Sequence, residues 1–221
     1  MESSLHRSLK ERFAAEGNQE VPLEGFRIDA VDPEGCLVEV QSGSLGPLRE
    51  KLRRLLPVYR MRLIKPVPLE RRLVRRARRD GPDLSSRRSP KRGVLVDVFD
   101  DLVGLVPLFP DVNLRIDVLA VSIEEIRVPR RRSPYFKVVD RRLIAIEQTR
   151  SLQRAFDLWS LLPADCQGQA PFTTHDLARQ LNRPLAMAQR VAYCLKGSGA
   201  ARVVAKKGNL LVYVRGDGLE T

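Results

Sequence analysis

Residues 25–42 read GFRIDAVDPEGCLVEVQS and predict two antiparallel strands joined by a hairpin. Apolar and polar residues alternate over 26–31 and again over 36–40, and the intervening Asp-Pro-Glu-Gly of 32–35 is typical of a turn. Successive side chains of a strand point to opposite faces of the sheet. Asp29 therefore lies on one face of the first strand, whereas Glu39 and Gln41 share a face of the second.

If those two faces coincide, two carboxylates and an amide come within a few ångströms of one another. Oxygen ligands of this kind suit Mg²⁺ or Mn²⁺ and metal-assisted cleavage of a phosphodiester. The alternative is a pair of ordinary carboxylates on the solvent side of a half-polar hairpin. Glu39 stands between Val38 and Val40, however, and a charge in so apolar a strand is unfavourable unless it is exposed or paired.

The order of the elements around this hairpin resembles the PD-(D/E)XK nuclease superfamily. Its members place a carboxylate on the first hairpin strand and (D/E)-x-K on the second. The segments that carry a closer resemblance, to an uncharacterised bacterial family predicted to join a nuclease-like core to a winged helix, are LHRSLKERFA, GFRIDAV, LVEVQSGSLGPLREKLRRLLP and PFTTHDLARQLNR. The resemblance implies Asp29 and Glu39 as metal ligands. Gln41 stands where the superfamily usually has lysine, and glutamine can orient water but adds no charge.

The superfamily often adds a carboxylate from its first helix. An apolar stripe recurs every four residues from Leu5 to Phe13 and predicts an amphipathic helix there. Glu2 and His6 project close to this stripe, one turn apart, whereas Glu11 lies nearly opposite. Glu2, with His6 beside it, is therefore the predicted contribution of the helix. The alternatives are a solvated terminal residue for Glu2 and a packed core histidine for His6.

The charge of the chain is strongly basic and unevenly distributed. Of its 221 residues, 39 are Lys or Arg and 27 are Asp or Glu, which gives a net charge of +12 and a pI near 10.2. Residues 49–92 hold 17 basic and 4 acidic residues, whereas residues 93–125 hold one basic and seven acidic ones. The natural partner of such a basic segment is a polyanion, bound with an affinity that falls with salt. We expect DNA, with RNA possible.

Other function classes are disfavoured by composition. The three cysteines, Cys36, Cys166 and Cys194, are far apart, and with two histidines a zinc site is not expected. The sequence has no apolar run of membrane-spanning length and no apolar centre for a secretion signal near its N-terminus. We expect a cytoplasmic protein that does not bind membranes.

The middle of the chain predicts further secondary structure. A basic helix follows Pro47 and carries Arg49 and Arg53, and a short strand occupies 61–64. Leu69, Leu73 and Ala77 then predict a very basic helix or helical turn at 69–81 that carries Arg72 and Arg76. Residues 80–92 predict an exposed loop, either a mobile solvated one or an arm that contacts the DNA backbone. Residues 114–123 predict a strand, and 136–146 predict a hairpin that turns at 140–142. The four arginines are predicted to grip a nucleic-acid backbone.

The C-terminal part changes to short helices after a boundary near 147–152. Helices are predicted at 155–162, at 174–181 with a threonine cap, and from Leu185, followed by a hairpin of 201–205 and 210–214. This pattern predicts a winged helix-turn-helix. In the DNA-binding version, helix and wing contact DNA. Its predicted contacts are Gln189, Arg190, Lys206 and Lys207. The third helix is apolar enough to leave a structural or dimerisation role open.

The sequence thus predicts an α/β (α+β) protein: a restriction-endonuclease-like mixed sheet core flanked by helices at 1–150, followed by a winged helix-turn-helix domain at 151–221. The leading hypothesis is a Mg²⁺- or Mn²⁺-dependent nuclease acting on DNA. One alternative is a non-catalytic nucleic-acid-binding or accessory protein with a degenerate nuclease core. Another is a scaffold that meets an acidic protein. The oligomeric state is left open.

Overall fold

A computed structural model describes residues 2–15, 18–130, 135–168 and 170–216. They form a mixed α/β structure, as predicted at that level, with one large open sheet and a separate two-stranded sheet. The helices are α1 (Ser4–Phe13), α2 (Arg49–Leu55), α3 (Phe99–Leu102), α4 (Thr174–Leu181) and α5 (Leu185–Gly197). The strands are β1 (Gln19–Leu23), β2 (Phe26–Val31), β3 (Leu37–Val40), β4 (Met61–Arg76), β5 (Asp83–Arg88), β6 (Leu114–Pro129), β7 (Phe136–Leu152), β8 (Ala201–Lys207) and β9 (Leu210–Arg215).

The large sheet has the strand order β1-β2-β3-β4-β6-β7, and β5 pairs with β4. The predicted hairpin is confirmed, since β2 and β3 are antiparallel with Ala30 opposite Val38. The turn closes because Asp32 Oδ1 accepts hydrogen bonds from the backbone N–H groups of Glu34 and Cys36, at 3.0 and 2.9 Å. Gly35 has a φ of +76°, which glycine adopts without strain.

Helix α1 is fixed to the sheet at its first turn and along its apolar stripe. Asp140 of β7 accepts hydrogen bonds from both the backbone N–H and the hydroxyl of Ser4, at 2.8 and 2.6 Å. Leu5 and Leu9 are buried in a cluster with residues of β2 and β3. The helix therefore presents a constant face to the hairpin.

Two predictions for the middle of the chain are wrong. Arg72 and Arg76 belong to the long strand β4, not to a helix at 69–81, and β5 (Asp83–Arg88) lies within the predicted loop at 80–92. Leu69 and Leu73, four residues apart, lie on one face of a strand just as they would on one side of a helix, so their spacing does not distinguish the two. Leu73 and Val74 are both buried, on opposite faces of the strand. The predicted hairpin turning at 140–142 is wrong as well, because β7 runs through it unbroken.

The chain divides into two compact units, each made of three segments. The first unit comprises Met1–Ser42, Ile64–Val94 and Val118–Thr149, and the second comprises Gly43–Leu63, Leu95–Asp117 and Arg150–Thr221. The predicted division at 150/151 stays a prediction.

The C-terminal segment of the second unit follows the predicted order of elements. The predicted threonine cap is confirmed, since Thr173 Oγ1 accepts a hydrogen bond from Asp176 N–H and the Asp176 carboxylate accepts one from Thr173 N–H. The predicted helix at 155–162 is a 3₁₀-helix, Ala155–Leu161. Trp159 anchors it with a 2.9 Å hydrogen bond from Nε1 to the carbonyl of Ala200, which lies just before the β8–β9 hairpin. No helix in the described ranges is long and apolar enough to cross a membrane.

Candidate functional site

Two carboxylates meet where β2 and β3 separate. The ladder pairs Val31 with Leu37 and Ala30 with Val38. At the next pair of residues, side-chain carboxylates accept hydrogen bonds from the backbone of the opposite strand. Asp29 Oδ2 accepts a hydrogen bond from Val40 N–H at 2.8 Å, and Glu39 Oε1 accepts one from Asp29 N–H at 3.3 Å. Each carboxylate is therefore fixed by a backbone N–H of the opposite strand.

Helix α1 and the residue before its N-cap add three side chains at four-residue spacing. His6 Nε2 lies 3.3 Å from Asp29 Oδ2 and 3.7 Å from Glu2 Oε1. Lys10 Nζ lies 2.8 Å from Glu2 Oε1 and is also bonded to Glu20 of β1. His6 and Lys10, at i and i+4, lie on one face of α1, and Glu2, before the N-cap, contacts both. We call the six residues the Asp29 cluster: Glu2, His6, Lys10, Glu20, Asp29 and Glu39.

The Asp29 cluster is buried at its base and open at its top. Lys10 and Glu39 are 3% and 6% exposed. The side chains of Asp29, His6 and Glu2 are 19%, 22% and 33% exposed. A small anion or a hydrated cation can therefore reach the Asp29 cluster from solvent, while its inner groups remain partly desolvated.

Three members of the cluster, Lys10, Glu20 and Asp29, have pKa values shifted toward their charged forms. Burial alone would raise the pKa of Asp29, but hydrogen bonds from His6 and Val40 N–H outweigh it and lower that pKa below its ordinary 3.8. Burial would lower the pKa of Lys10, but its bonds to Glu2 and Glu20 raise that pKa above 10.5. The bond from Lys10 lowers the pKa of Glu20 in turn. The arrangement is thus a compensated array of fixed charges.

These pKa values predict an acid-sensitive contribution to stability. Because the pKa of Asp29 is lower in the folded chain, its bonds stabilise the fold above the unfolded pKa of about 3.9, and this contribution is lost as the pH falls below it. We expect Asp29→Asn to lower the free energy of unfolding at pH 7 but much less near pH 3. Urea titrations of both proteins at the two pH values measure this, and an equal difference at both would contradict it.

The structure brings together most of the predicted catalytic residues and adds two. Glu2, His6, Asp29 and Glu39 form the contacts described above. Gln41 lies just beyond β3, where its backbone N–H donates to the carbonyl of Ile64 at 2.9 Å. Lys10 and Glu20 were missed by sequence reasoning. The signal for Lys10 was present, since it continues the four-residue spacing of Glu2 and His6. No sequence pattern indicated Glu20, because only the pairing of strands brings it to the Asp29 cluster.

Asp29 and Glu39 are the carboxylates of the hairpin that could ligate a divalent cation. Among the described residues, no group of three or more His, Cys, Asp or Glu side chains is arranged to hold a metal ion. Mg²⁺, however, is usually held by one or two carboxylates and completes its shell with waters and substrate phosphates. Asp29 and Glu39 supply two carboxylates, of which that of Asp29 is partly exposed.

The predicted nucleic-acid contacts differ in how strongly they are engaged within the protein. Arg72 is exposed on β4, whereas Arg76 is 14% exposed and its Nε donates to Asp83 Oδ1 at 2.6 Å. In the second unit, Arg49 is exposed at the start of α2, and Arg53 pairs with Glu50 at 2.9 Å. Arg76 is therefore a structural residue, and Arg72 is the more available of the two in β4.

Helix α5 faces an acidic segment of its own unit. Arg190 pairs with Asp100 at 3.1 Å, and Arg183, just before α5, pairs with Asp97 at 3.0 Å. Gln189 is exposed beside them and lines a shallow groove with Tyr193. Lys206 and Lys207 are exposed at the tip of the β8–β9 hairpin. The hairpin lysines are thus open to a partner, whereas Arg190 already has an internal counterion.

Comparison with known proteins identifies the family. The chain belongs to the family described as "Domain of unknown function (DUF8091)", whose model matches residues 3–153. An uncharacterised protein of Treponema pallidum (strain Nichols) is 37% identical over 154 residues, which cover 67% of this chain and 61% of that protein. The chain therefore spans less than two thirds of that relative. No solved structure matches the chain. Membership is consistent with the predicted resemblance to an uncharacterised family, and the link to nucleases stays a prediction.

Proposed function

We propose that this member of the family is a divalent-cation-dependent nuclease of the PD-(D/E)XK type that hydrolyses phosphodiester bonds in DNA. The observation that carries the proposal is the meeting of Asp29 and Glu39 at the separation of β2 and β3, with His6 beside them at 3.3 Å from Asp29. Partly exposed groups with perturbed pKa values in such a position are typical of functional sites.

The proposal includes the finer fold assignment. The first unit would be a nuclease-like core, in which α1 packs on the β2–β3 hairpin. The segment with α4, α5 and the β8–β9 hairpin would be a winged helix-turn-helix. What supports this is the order of the elements, namely two successive helices followed by an antiparallel hairpin with a basic tip.

Asp29 and Glu39 would hold the Mg²⁺ or Mn²⁺ ion. When bound, such an ion polarises the scissile phosphate and lowers the pKa of an attacking water. The hydrogen bonds from Val40 N–H to Asp29 and from Asp29 N–H to Glu39 fix both carboxylates before any ion arrives. This preorganisation is a property of the chain itself.

The other residues of the Asp29 cluster would handle protons and charge. His6 is within reach of a water beside Asp29 and would accept its proton. Lys10 would supply the positive charge that Gln41 lacks, because its raised pKa keeps it an ammonium group beside the carboxylates. Gln41 would orient water through its amide. A helix lysine would thus replace the usual strand lysine of the superfamily.

The charge of the chain supports a nucleic-acid substrate. The surplus of +12 favours a polyanion, and we propose DNA, with RNA as a further possible substrate. Arg49, Arg72, Lys206 and Lys207 are exposed cations for the phosphate backbone. Contacts of this kind position a substrate without reading its sequence.

A cleavage assay tests the proposed activity. Purified protein is incubated with supercoiled plasmid and with single-stranded DNA, with Mg²⁺, with Mn²⁺ or with EDTA. We expect nicking or degradation with either cation and none with EDTA. Cleavage that persists in EDTA, or intact DNA under every condition, would contradict the proposal.

A second candidate is a nucleic-acid-binding protein whose nuclease core is degenerate. Gln41 in place of lysine favours it, as does the lack of a three-ligand metal group in the described part of the chain. This candidate predicts salt-sensitive DNA binding, without cleavage, that does not depend on Asp29 or Glu39. A mobility shift in EDTA together with intact plasmid in Mg²⁺ would favour it over the nuclease.

A further inference from the structure

We propose that β4 and β5 form a basic ribbon that enters the major groove of duplex DNA. This inference rests on the nucleic-acid partner of the proposed function and adds the element that binds it, the form of nucleic acid and the mode of binding. It does not require catalysis. We call β5 and the part of β4 that pairs with it, with their connection, the basic ribbon (residues 71–89).

The basic ribbon is a two-stranded antiparallel structure in which β5 is exposed, whereas Leu73 and Val74 of β4 are buried. Arg72 lies opposite Arg88, Val74 opposite Ser86 and Arg76 opposite Asp83. All six residues of β5 are exposed. Because β5 pairs with β4 off the main path of the sheet, its outer edge has no further strand in the described residues. An exposed strand of this composition, with four of six residues Ser or Arg, is built to meet solvent or a polar partner.

The basic ribbon has an excess of positive charge and places like charges opposite each other. Residues 71–89 contain eight basic and two acidic residues. Arg72 and Arg88 are directly opposed across the two strands, and like charges in that position destabilise a strand pair. A bound polyanion reverses the sign of this effect, since each phosphate between two arginines attracts both. The like-charge pair is therefore an argument for an anionic partner and not only for solubility.

Internal contacts divide the arginines into structural and available ones. Arg76 binds Asp83, Arg75 lies over the ring of Phe136 at 4.5 Å, and Arg88 and Arg92 share Glu70 at 3.6 and 2.7 Å. Within the described ranges, no carboxylate pairs with Arg72 or Arg87. These two side chains lie on opposite faces of the ribbon, because Arg87 is opposite Leu73. Both faces therefore present an available cation, as an element flanked by two phosphate backbones requires.

The dimensions of the ribbon favour duplex DNA. The major groove of B-DNA is about 12 Å wide and admits a two-stranded ribbon, whose strands are about 4.8 Å apart. The major groove of A-form RNA is deep and too narrow for side chains to read. Arg78 and Arg79, exposed between the two strands, would extend the contact at the tip. Double-stranded RNA should consequently bind less tightly than a DNA duplex of the same sequence.

Binding measured in EDTA tests the ribbon independently of cleavage. Fluorescence anisotropy with a labelled duplex of about 20 base pairs, at salt from about 50 to 200 mM, gives the Kd and its salt dependence. We expect Arg72→Gln, Arg87→Gln to weaken binding at about 100 mM salt by at least tenfold and to lower the slope of log K against log salt by about two. The tip variant Arg78→Gln, Arg79→Gln should act in the same direction.

The matched control is Arg7→Gln, Arg12→Gln, which removes the same charge from the exposed face of α1. It should change the Kd by less than about threefold. Equal losses in the control and the ribbon variants would overturn the proposal in favour of a bulk charge effect, as would unchanged binding in both ribbon variants. Methyl green, which occupies the major groove, should compete with the protein, whereas the minor-groove ligand netropsin should not. The reverse result would also overturn it, whatever the cleavage assay shows.

Discussion

Exchange of Asp29 for Asn together with Glu39 for Gln is expected to abolish cation-dependent cleavage of DNA. The amides keep a hydrogen-bond acceptor for Val40 N–H and Asp29 N–H, so the separation of β2 and β3 should persist. The exchange removes two negative charges, and these charges give the site its affinity for Mg²⁺. Since a catalytic metal contributes several kcal/mol to the transition state, we expect the rate to fall by about a thousandfold or more.

The nicking rate of supercoiled plasmid under Mg²⁺ measures this effect. Glu11→Gln on the exposed side of α1, combined with Glu24→Gln, is the matched control, because it removes the same charge away from the Asp29 cluster. The control should retain its activity. DNA binding in EDTA should survive in both proteins and should not weaken in the double variant, since two repelling charges are gone. Cleavage by the double variant at the rate of the unaltered protein would refute the role of these carboxylates.

The hairpin was predictable because its information is local. Alternation over six residues, a four-residue turn and a second alternation specify β2 and β3 without any distant contact. The same holds for the cap at Thr173, where Asp176 three residues later completes a reciprocal pair. Local chemistry of this kind is independent of the rest of the fold.

The long strands were not predictable in the same way. In β4 the leucines at 69 and 73 have helical spacing, but the strand pairs with β5 and β3, and that pairing overrides the local preference. In β7 the polar triplet Asp140-Arg141-Arg142 resembles a turn. Asp140 instead serves the first turn of α1, 136 residues away in sequence. In the local sequence, a polar strand residue that binds a distant partner cannot be distinguished from a polar residue of a turn.

The candidate site was predictable in part for a related reason. Asp29, Glu39 and the Glu2–His6 pair follow from strand and helix periodicity. To predict Lys10, the same four-residue spacing had to be extended by one more helical turn. To predict Glu20, the pairing of β1 with β2 had to be known. The chemical consequence is considerable, because Lys10 turns a group of carboxylates with a missing lysine into a charge-compensated array.

The two units also use their charges differently. In the second unit three of the five acidic residues of 95–117 have nearby cations: Asp97 with Arg183, Asp100 with Arg190, and Asp117 with Arg62 and Arg115. The basic ribbon of the first unit has far fewer carboxylates than cations. The excess charge visible in the sequence is therefore concentrated on an exposed element, which is why we expect single ribbon variants to affect DNA binding more than equal changes elsewhere.

Asp117→Ala is expected to destabilise the protein by about 3 kcal/mol, because it leaves two arginines without their buried counterion. Asp117 is fully buried and accepts hydrogen bonds from Arg62 Nε at 2.6 Å, Arg115 Nε at 2.9 Å and Ser151 Oγ at 2.6 Å. It thereby joins β4, β6 and β7. Burial alone would raise its pKa, but the bonds from Ser151, Arg115 and Arg62 outweigh burial and lower it.

Guanidinium unfolding followed by circular dichroism at pH 7 measures the loss, and Asp165→Ala, an exposed site of the same unit, should change stability by less than about 0.5 kcal/mol. The sign of the pH dependence follows from the lowered pKa. The contribution of Asp117 is present above the unfolded pKa of about 3.9 and disappears as the pH falls through the lower folded value, so variant and parent should converge in acid. A loss below about 1 kcal/mol at pH 7, or a difference that persists at low pH, would show that the arginines find other partners and that the carboxylate does not hold the three strands together.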